Sequence, residues 1–170
     1  MTDIFLVIRS IMQIDIIEKE KSNMKITYKG DYALKAVLNL ALNYEQGKLV
    51  TIHDMAKRAD IPIKFLEQVL LDLKRGGFVE SRRGKVGGYC LAKPPASIKV
   101  GEIIRFIDGP TEPIACTEKE YAGCKDIYKC VFRSIWQDVG KATSKIIDNI
   151  TFENLVNKVE TKTMSVSYQI

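Results

Sequence analysis

Three cysteines fall within fifteen residues, Cys116, Cys124 and Cys130, in the pattern Cys-x7-Cys-x5-Cys. The same stretch carries Gly109, Pro110, Pro113 and Gly123, so it reads as a loop. Three soft thiolates on pliable backbone suit an iron–sulfur cluster or zinc and suit neither calcium nor magnesium. The bland alternative is three unrelated core thiols. Core cysteines sit on apolar periodic faces, however, and these are flanked by Thr117, Glu118, Lys119, Glu120, Lys125 and Asp126. Spacing alone does not separate zinc from a cluster. Three thiolates leave one position open. The only histidine, His53, belongs to a helical pattern far upstream, and Cys90 lies in a strand-like run, so a fourth ligand must come from elsewhere. The chain has no Cys-x-x-Cys and no base to activate a thiol, so no enzyme is expected.

A second set of residues has the chemistry to read DNA. Pro62 at a first helical position, then Ile63, Leu66, Leu70 and Leu73 on one face and Gly76-Gly77 as a stop, predict a helix. Burying that face leaves Lys64, Phe65, Glu67, Gln68 and Asp72 outward. Gln68 can pair with adenine, Glu67 can accept from cytosine, Phe65 can meet a thymine methyl, and Lys64 suits a phosphate or guanine. Before it, Thr51 and Asp54 cap a short helix, Ile52 to Ala59, with Asp60 closing it and capping the next. Two short helices so spaced form a helix-turn-helix. A helix from Asp31 to near Gly47 precedes them.

After the glycines come two strand-like runs, 78–83 and 89–92, joined by Gly84-Lys85-Val86-Gly87-Gly88. They predict a hairpin whose tip carries Arg82, Arg83 and Lys85, placed to reach phosphates or a minor groove. Charge agrees. The chain of 170 residues holds 26 basic and 21 acidic groups, net +5, and residues 24–95 alone hold 13 basic and 7 acidic. An excess confined to one segment is the footprint of a nucleic-acid module. A solvated hairpin and an ordinary polar helix face are the alternatives, as is a module of this shape that binds protein.

Downstream, Ser97 to Asp108 reads as a helix. From Cys130 a long helical stripe follows, Val131, Ile135, Val139, Ala142, Ile146 and Ile150, then one capped turn at 151–155 and a polar tail from Asn157. Such a stripe needs a partner surface, and a two-fold copy would set two reading helices about one DNA turn apart. The modules are thus residues 1–23, an extension with Met24 as an alternative start; 24–95, the DNA-binding module; 96–129, a helix and the cysteine loop; 130–156, the dimerisation helix and capped turn; and 157–170, the tail. Arg9 and Asp15 interrupt the apolar run Ile4 to Ile17, which is too short to span a membrane and lacks the marks of a signal peptide. A cytoplasmic protein with reduced thiols is expected, with neither a membrane nor a small-molecule substrate as partner.

The run Tyr28-Lys29-Gly30-Asp31-Tyr32-Ala33-Leu34, the helix start Ile61 to Gln68, the turn Arg83 to Tyr89 and the three-cysteine loop together resemble the Rrf2 family of bacterial regulators, in its iron–sulfur sensor type. The likeness runs from Met24 to about Leu155. It implies a mainly α fold with a small β-hairpin wing, a winged helix-turn-helix plus a long dimerisation helix. It implies a homodimeric repressor on a palindromic operator in double-stranded DNA, controlled by a cluster on Cys116, Cys124 and Cys130, with 2Fe-2S favoured over 4Fe-4S. Loading of that cluster would order the loop and set the spacing of the reading helices. Glu67, Gln68 and Arg83 match the family's DNA-reading positions. Some members place a histidine ligand three residues beyond the last cysteine, where this chain has Arg133; others use an aspartate of the first helix, which Asp31 matches as candidate fourth ligand. A cluster-free or zinc-bound regulator of the same family is the alternative.

Overall fold

The computed structural model describes residues 26–44, 48–84, 86–118, 121 and 123–167. The extension 1–23 and the wing residue Lys85 lie outside them. The described residues form six helices and one two-stranded antiparallel sheet. They divide into two compact units, Pro110–Gly140 and Lys25–Gly109 with Lys141–Ile170.

Helix α1, Tyr28–Ala41, begins three residues earlier than its apolar pattern predicts and ends well before Gly47. Its start is decided by Thr27, whose hydroxyl accepts from the Gly30 amide at 3.1 Å. Asp108 fixes that cap from across the fold, accepting from the Thr27 amide at 3.0 Å and from its hydroxyl at 2.6 Å. Gly30 is required here because an added Cβ would collide with the Asp108 carboxylate.

Helix α2, Ile52–Ala59, has the predicted bounds, with the Thr51 hydroxyl accepting from the Asp54 amide at 3.2 Å. Asp60 ends it in the left-handed region at φ 51°. Contrary to the expectation from the sequence, it does not cap the next helix, whose N-cap residue is Pro62. Helix α3 runs Ile63–Arg75 with Pro62 as its extended N-cap residue, not its first helical one, and no side-chain cap; the Pro62 carbonyl accepts from Phe65 and Leu66 at 3.0 and 3.1 Å.

Strands β1, Val79–Arg82, and β2, Gly88–Leu91, pair with Ser81 opposite Tyr89 and Arg82 opposite Gly88. Val50 adds a bridge to Tyr89, with both N–H···O distances 2.9 Å. This anchors the wing to the segment before α2. A turn of 3-10 helix, Pro95–Ser97, takes the place of the expected first turn of α4, which spans Val100–Asp108. The Lys99 amide donates to Glu102 at 3.2 Å, so the helix starts there.

Helix α5 runs Val131–Ile147, leaving Ile150 beyond its end, and α6 runs Phe152–Ser167. The capped turn and polar tail expected from 151 onward are instead one helix of sixteen residues. Thr151 and Asn154 cap it reciprocally, and Phe152 plugs the core with no exposed surface.

One core holds the larger unit together: Ala33, Val37 and Leu40 of α1, Met55 of α2, Leu66, Leu70 and Leu73 of α3, Val79 and Leu91 of the hairpin, Ile98, Ile103 and Phe152. Helix α1 is its axis, packing against α2, α3, α4, α6 and β2. Each large aliphatic or aromatic group buried there is worth about 2–5 kcal/mol against alanine. That rigid centre is what holds α3 and the wing in place.

Candidate nucleic-acid interface and cysteine loop

Helix α3 turns Leu66, Val69, Leu70 and Leu73 inward and leaves Lys64, Phe65, Glu67 and Gln68 exposed. All four predicted reading residues therefore share the outer face of one helix, on its first two turns. Val69 lies on the buried face, whereas Ile63, at the first position of the helix, is exposed. Arg82 and Arg83 are exposed at the wing, beside the Gly84 turn. Lys85 is outside the described residues, so its place at the tip rests on the sequence. The Lys74 ammonium donates to Ser81 at 2.7 Å and ties the end of α3 to β1. A basic crevice of about 290 Å³ lies between them, lined by Leu71, Lys74, Arg82, Arg83 and Tyr89. His53 is exposed on α2.

Sequence reasoning overlooked the residues beside Gln68. Tyr28, Lys29 and Tyr32 of α1 join Phe65 and Gln68 around a hollow of about 470 Å³. The rings of Tyr28, Tyr32 and Phe65 follow one another at 6.4 Å between centroids. Lys29 stands 2.7 Å from the carboxylate of Asp72 on α3. The signal was present as two tyrosines four apart on a helix, but periodicity counts such residues as half-buried packing.

In the smaller unit, Cys116 is half-buried on a 3-10 turn, Ala115–Thr117, and Cys124 and Cys130 are exposed. The structure does not bring the three together: among the described residues no group of three or more His, Cys, Asp or Glu could hold a metal ion. The donor set nonetheless fits an iron–sulfur cluster. All three thiols are free, soft donors of the kind such a cluster takes. Arg133 donates from Nε to the Cys116 carbonyl at 3.1 Å, while its amide donates to the Cys130 carbonyl at 3.3 Å in the first turn of the helix Val131–Ile147.

Asp31 lies in the other unit, on the first turn of α1, paired with Lys35 at 2.7 Å. The hydrogen bond that the Lys35 ammonium gives to the Asp31 carboxylate raises its pKa above the ordinary value. Cys90 is half-buried on β2 opposite Glu80, consistent with a strand residue outside the trio. Helix α5 has no buried residue; Val131, Phe132, Ile135, Trp136 and Val139 are all exposed. Among the described residues no helix is long and apolar enough to cross a membrane.

Residues 26–158 match the family described as "Rrf2: Iron-dependent Transcriptional regulator". The chain is 39% identical over 137 residues to the HTH-type transcriptional regulator IscR of Klebsiella pneumoniae (strain 342), covering 81% of this chain and 82% of that one. Among solved structures it is similar to CymR, the global cysteine regulator of B. subtilis, with TM-score 0.66 and 28% identity over 79% of this chain and 97% of that one. It is also similar to T. potens IscR, with TM-score 0.64 and 30% identity over 81% and 90% of the two chains. The fold is thus a winged helix of the kind these regulators share, and these relatives are transcriptional regulators rather than enzymes.

Proposed function

Because the chain belongs to the Rrf2 family of iron-dependent transcriptional regulators, we propose that it acts as a homodimeric, DNA-binding repressor whose three loop cysteines hold an iron–sulfur cluster. The observation that carries the DNA-binding half is the face of α3. Its apolar side is sealed in the core while Lys64, Phe65, Glu67 and Gln68 stand free on its first turns, next to an arginine-bearing wing. Residues 24–95 are the reading module. Gln68 and Glu67 read base edges in the major groove, and Arg82, Arg83 and Lys85 take phosphates or the minor groove.

The second half concerns residues 96–156. The exposed apolar stripe of α5 is covered by the same stripe of a second copy, and the two copies read the halves of a palindromic operator. Cys116, Cys124 and Cys130 hold the cluster, 2Fe-2S favoured over 4Fe-4S, with Asp31 of the partner subunit as candidate fourth ligand. When bound, the cluster supplies a redox-active iron centre sensitive to oxidant, nitric oxide and iron supply. The loop residues bind it. One second reading is a cluster-free or zinc-bound regulator of the same family, since thiolate spacing suits zinc as well as a cluster.

Protein purified without oxygen and assayed for iron, acid-labile sulfide, zinc and visible absorption decides between the two. Iron and sulfide in equal amounts with charge-transfer bands are expected; a colourless, iron-free sample overturns the cluster. Gel-shift titration on DNA selected from a random library tests the reading helix. Gln68→Ala is expected to weaken cognate DNA more than non-cognate DNA, and equal losses would mean that α3 reads no bases.

A further inference from the structure

The face of α3 that carries Lys64, Glu67 and Gln68 also carries one large apolar group. Phe65 is 63% exposed and stands third in the helix, its amide held by the Pro62 carbonyl at 3.0 Å. A phenyl ring brings neither charge to a phosphate nor a hydrogen bond to a polar base edge. In the major groove one feature suits it, the C5 methyl group of thymine, the only methyl on any base edge there. A ring left to itself on the first turn of a helix swings between staggered positions, and binding must then select one of them.

The structure supplies a backstop for that ring. Tyr32 of α1 is half-buried and packs against the core of the larger unit, so its own position is set. Its ring centroid lies 6.4 Å from that of Phe65 with the planes at 52°, within the range at which aromatic rings attract. Tyr28, one turn earlier on α1, continues the row at 6.4 Å from Tyr32 and is 84% exposed. The Lys35 ammonium, 5.9 Å from the Tyr32 ring centroid, adds a second contact on that ring. Phe65 and Gln68, three residues apart on α3, line the hollow beside these rings. An anchored ring, a braced ring and a base-reading amide thus follow one another across the junction of α1 and α3.

We infer that Tyr32 is a positioning residue for Phe65: anchored against the core, its ring holds the phenyl group of Phe65 at the reading face, where it selects the methyl group of a thymine. The inference rests on the proposed base-reading role of α3. It names a feature of the DNA which that proposal left open, a thymine recognised through its methyl close to the base read by Gln68. It also gives α1 a part in sequence choice, through ring packing rather than charge.

The test uses the full-length protein and a duplex that the wild type enriches from a random library, with each thymine replaced in turn by deoxyuridine. That change removes a methyl and leaves every hydrogen-bonding group in place. At one thymine the wild type is expected to bind the deoxyuridine duplex about three- to fivefold more weakly, the scale of one buried methyl. Phe65→Ala abolishes that ratio. Tyr32→Ala is expected to bring it close to unity, whereas Tyr32→Phe, which keeps the ring, preserves it. Tyr32→Leu fills much of the same space without a ring and is expected to follow Tyr32→Ala, which covers the case of a small side chain that fails to fold. Both variants keep the preference at the base whose selection Gln68→Ala loses, a readout that a merely structural role would not spare. A wild type indifferent to deoxyuridine at every thymine overturns methyl reading by Phe65. A ratio unaltered in Tyr32→Ala and Tyr32→Leu, or a loss of all base preferences together in both, overturns the positioning role. A wild type that enriches no duplex overturns the DNA-reading proposal itself, and this inference with it.

Discussion

The guanidinium of Arg105 holds both carboxylate oxygens of Asp148, at 2.7 and 2.9 Å, and so joins α4 to the residue just beyond the end of α5. Arg105 also donates to Ser144 at 3.2 Å. Gly101 makes the approach possible, since a Cβ there would strike the Asp148 carboxylate. The hydrogen bond from Arg105, against a smaller opposing effect of burial, lowers the Asp148 carboxyl from its ordinary value. A carboxyl lower in the folded than in the unfolded state contributes stability above its unfolded value, and that contribution is lost as pH falls through the folded one. Asp148→Asn is therefore expected to lower Tm at pH 7 and to match the wild type once pH is well below 4. Both side chains are about one-third exposed, so solvent screens the pair and about 1 kcal/mol is the expected scale. Thermal melts of the two proteins across pH 2.5 to 7 check it.

The stripe on α5 offers a sharper result. Ile135 and Val139 are exposed one turn apart. If a second copy covers them, Ile135→Glu places a charge in an apolar interface and separates the copies. Sedimentation is expected to shift from dimer to monomer, and operator affinity to fall by more than tenfold because two half-sites no longer act together. An Ile135→Glu protein that remains a dimer would remove this face from the interface.

Asp31 carries a distinct expectation. As a ligand from the partner it would have to release Lys35, now 2.7 Å away. Asp31→Ala should shorten the lifetime of cluster absorbance in air, whereas Lys35→Met, which frees the carboxylate, should not. Equal decay in all three proteins would assign the fourth position to another donor.

The wing arginines should act through charge. Arg82 and Arg83 are exposed, Arg82 held opposite Gly88 by the hairpin register and Arg83 just beyond it. Replacing either with alanine is expected to weaken all duplexes by a similar factor and to reduce the slope of log affinity against log salt by about 1. Titrations at several salt concentrations measure it, and loss confined to one base sequence would mean direct reading instead.

Much of the fold was legible in the chain because its signals are local. Thr51 and Asp54 three apart, the apolar face of α3 and the glycines on either side of the hairpin each act within a few residues, and α2, α3 and the wing lie where those signals put them. The ends that were misplaced depend on distant partners. Thr27 starts α1 early because Asp108, 81 residues away, secures it. The segment after Thr151 is a helix because Phe152 finds the core of the larger unit. Polarity alone made it look like a tail.

The same division holds at the candidate sites. Residue types and one helical period were enough to identify Lys64, Phe65, Glu67 and Gln68 as outward-facing and Cys116, Cys124 and Cys130 as soft donors on a loop, since chemistry and period are written along the chain. Only the tertiary structure decided that Lys29 reaches Asp72 and that the Arg133 side chain donates to the Cys116 carbonyl. Lys29 and Asp72 stand far apart in the chain, and the packing of α1 against α3 sets their distance; Arg133 and Cys116 meet within the smaller unit.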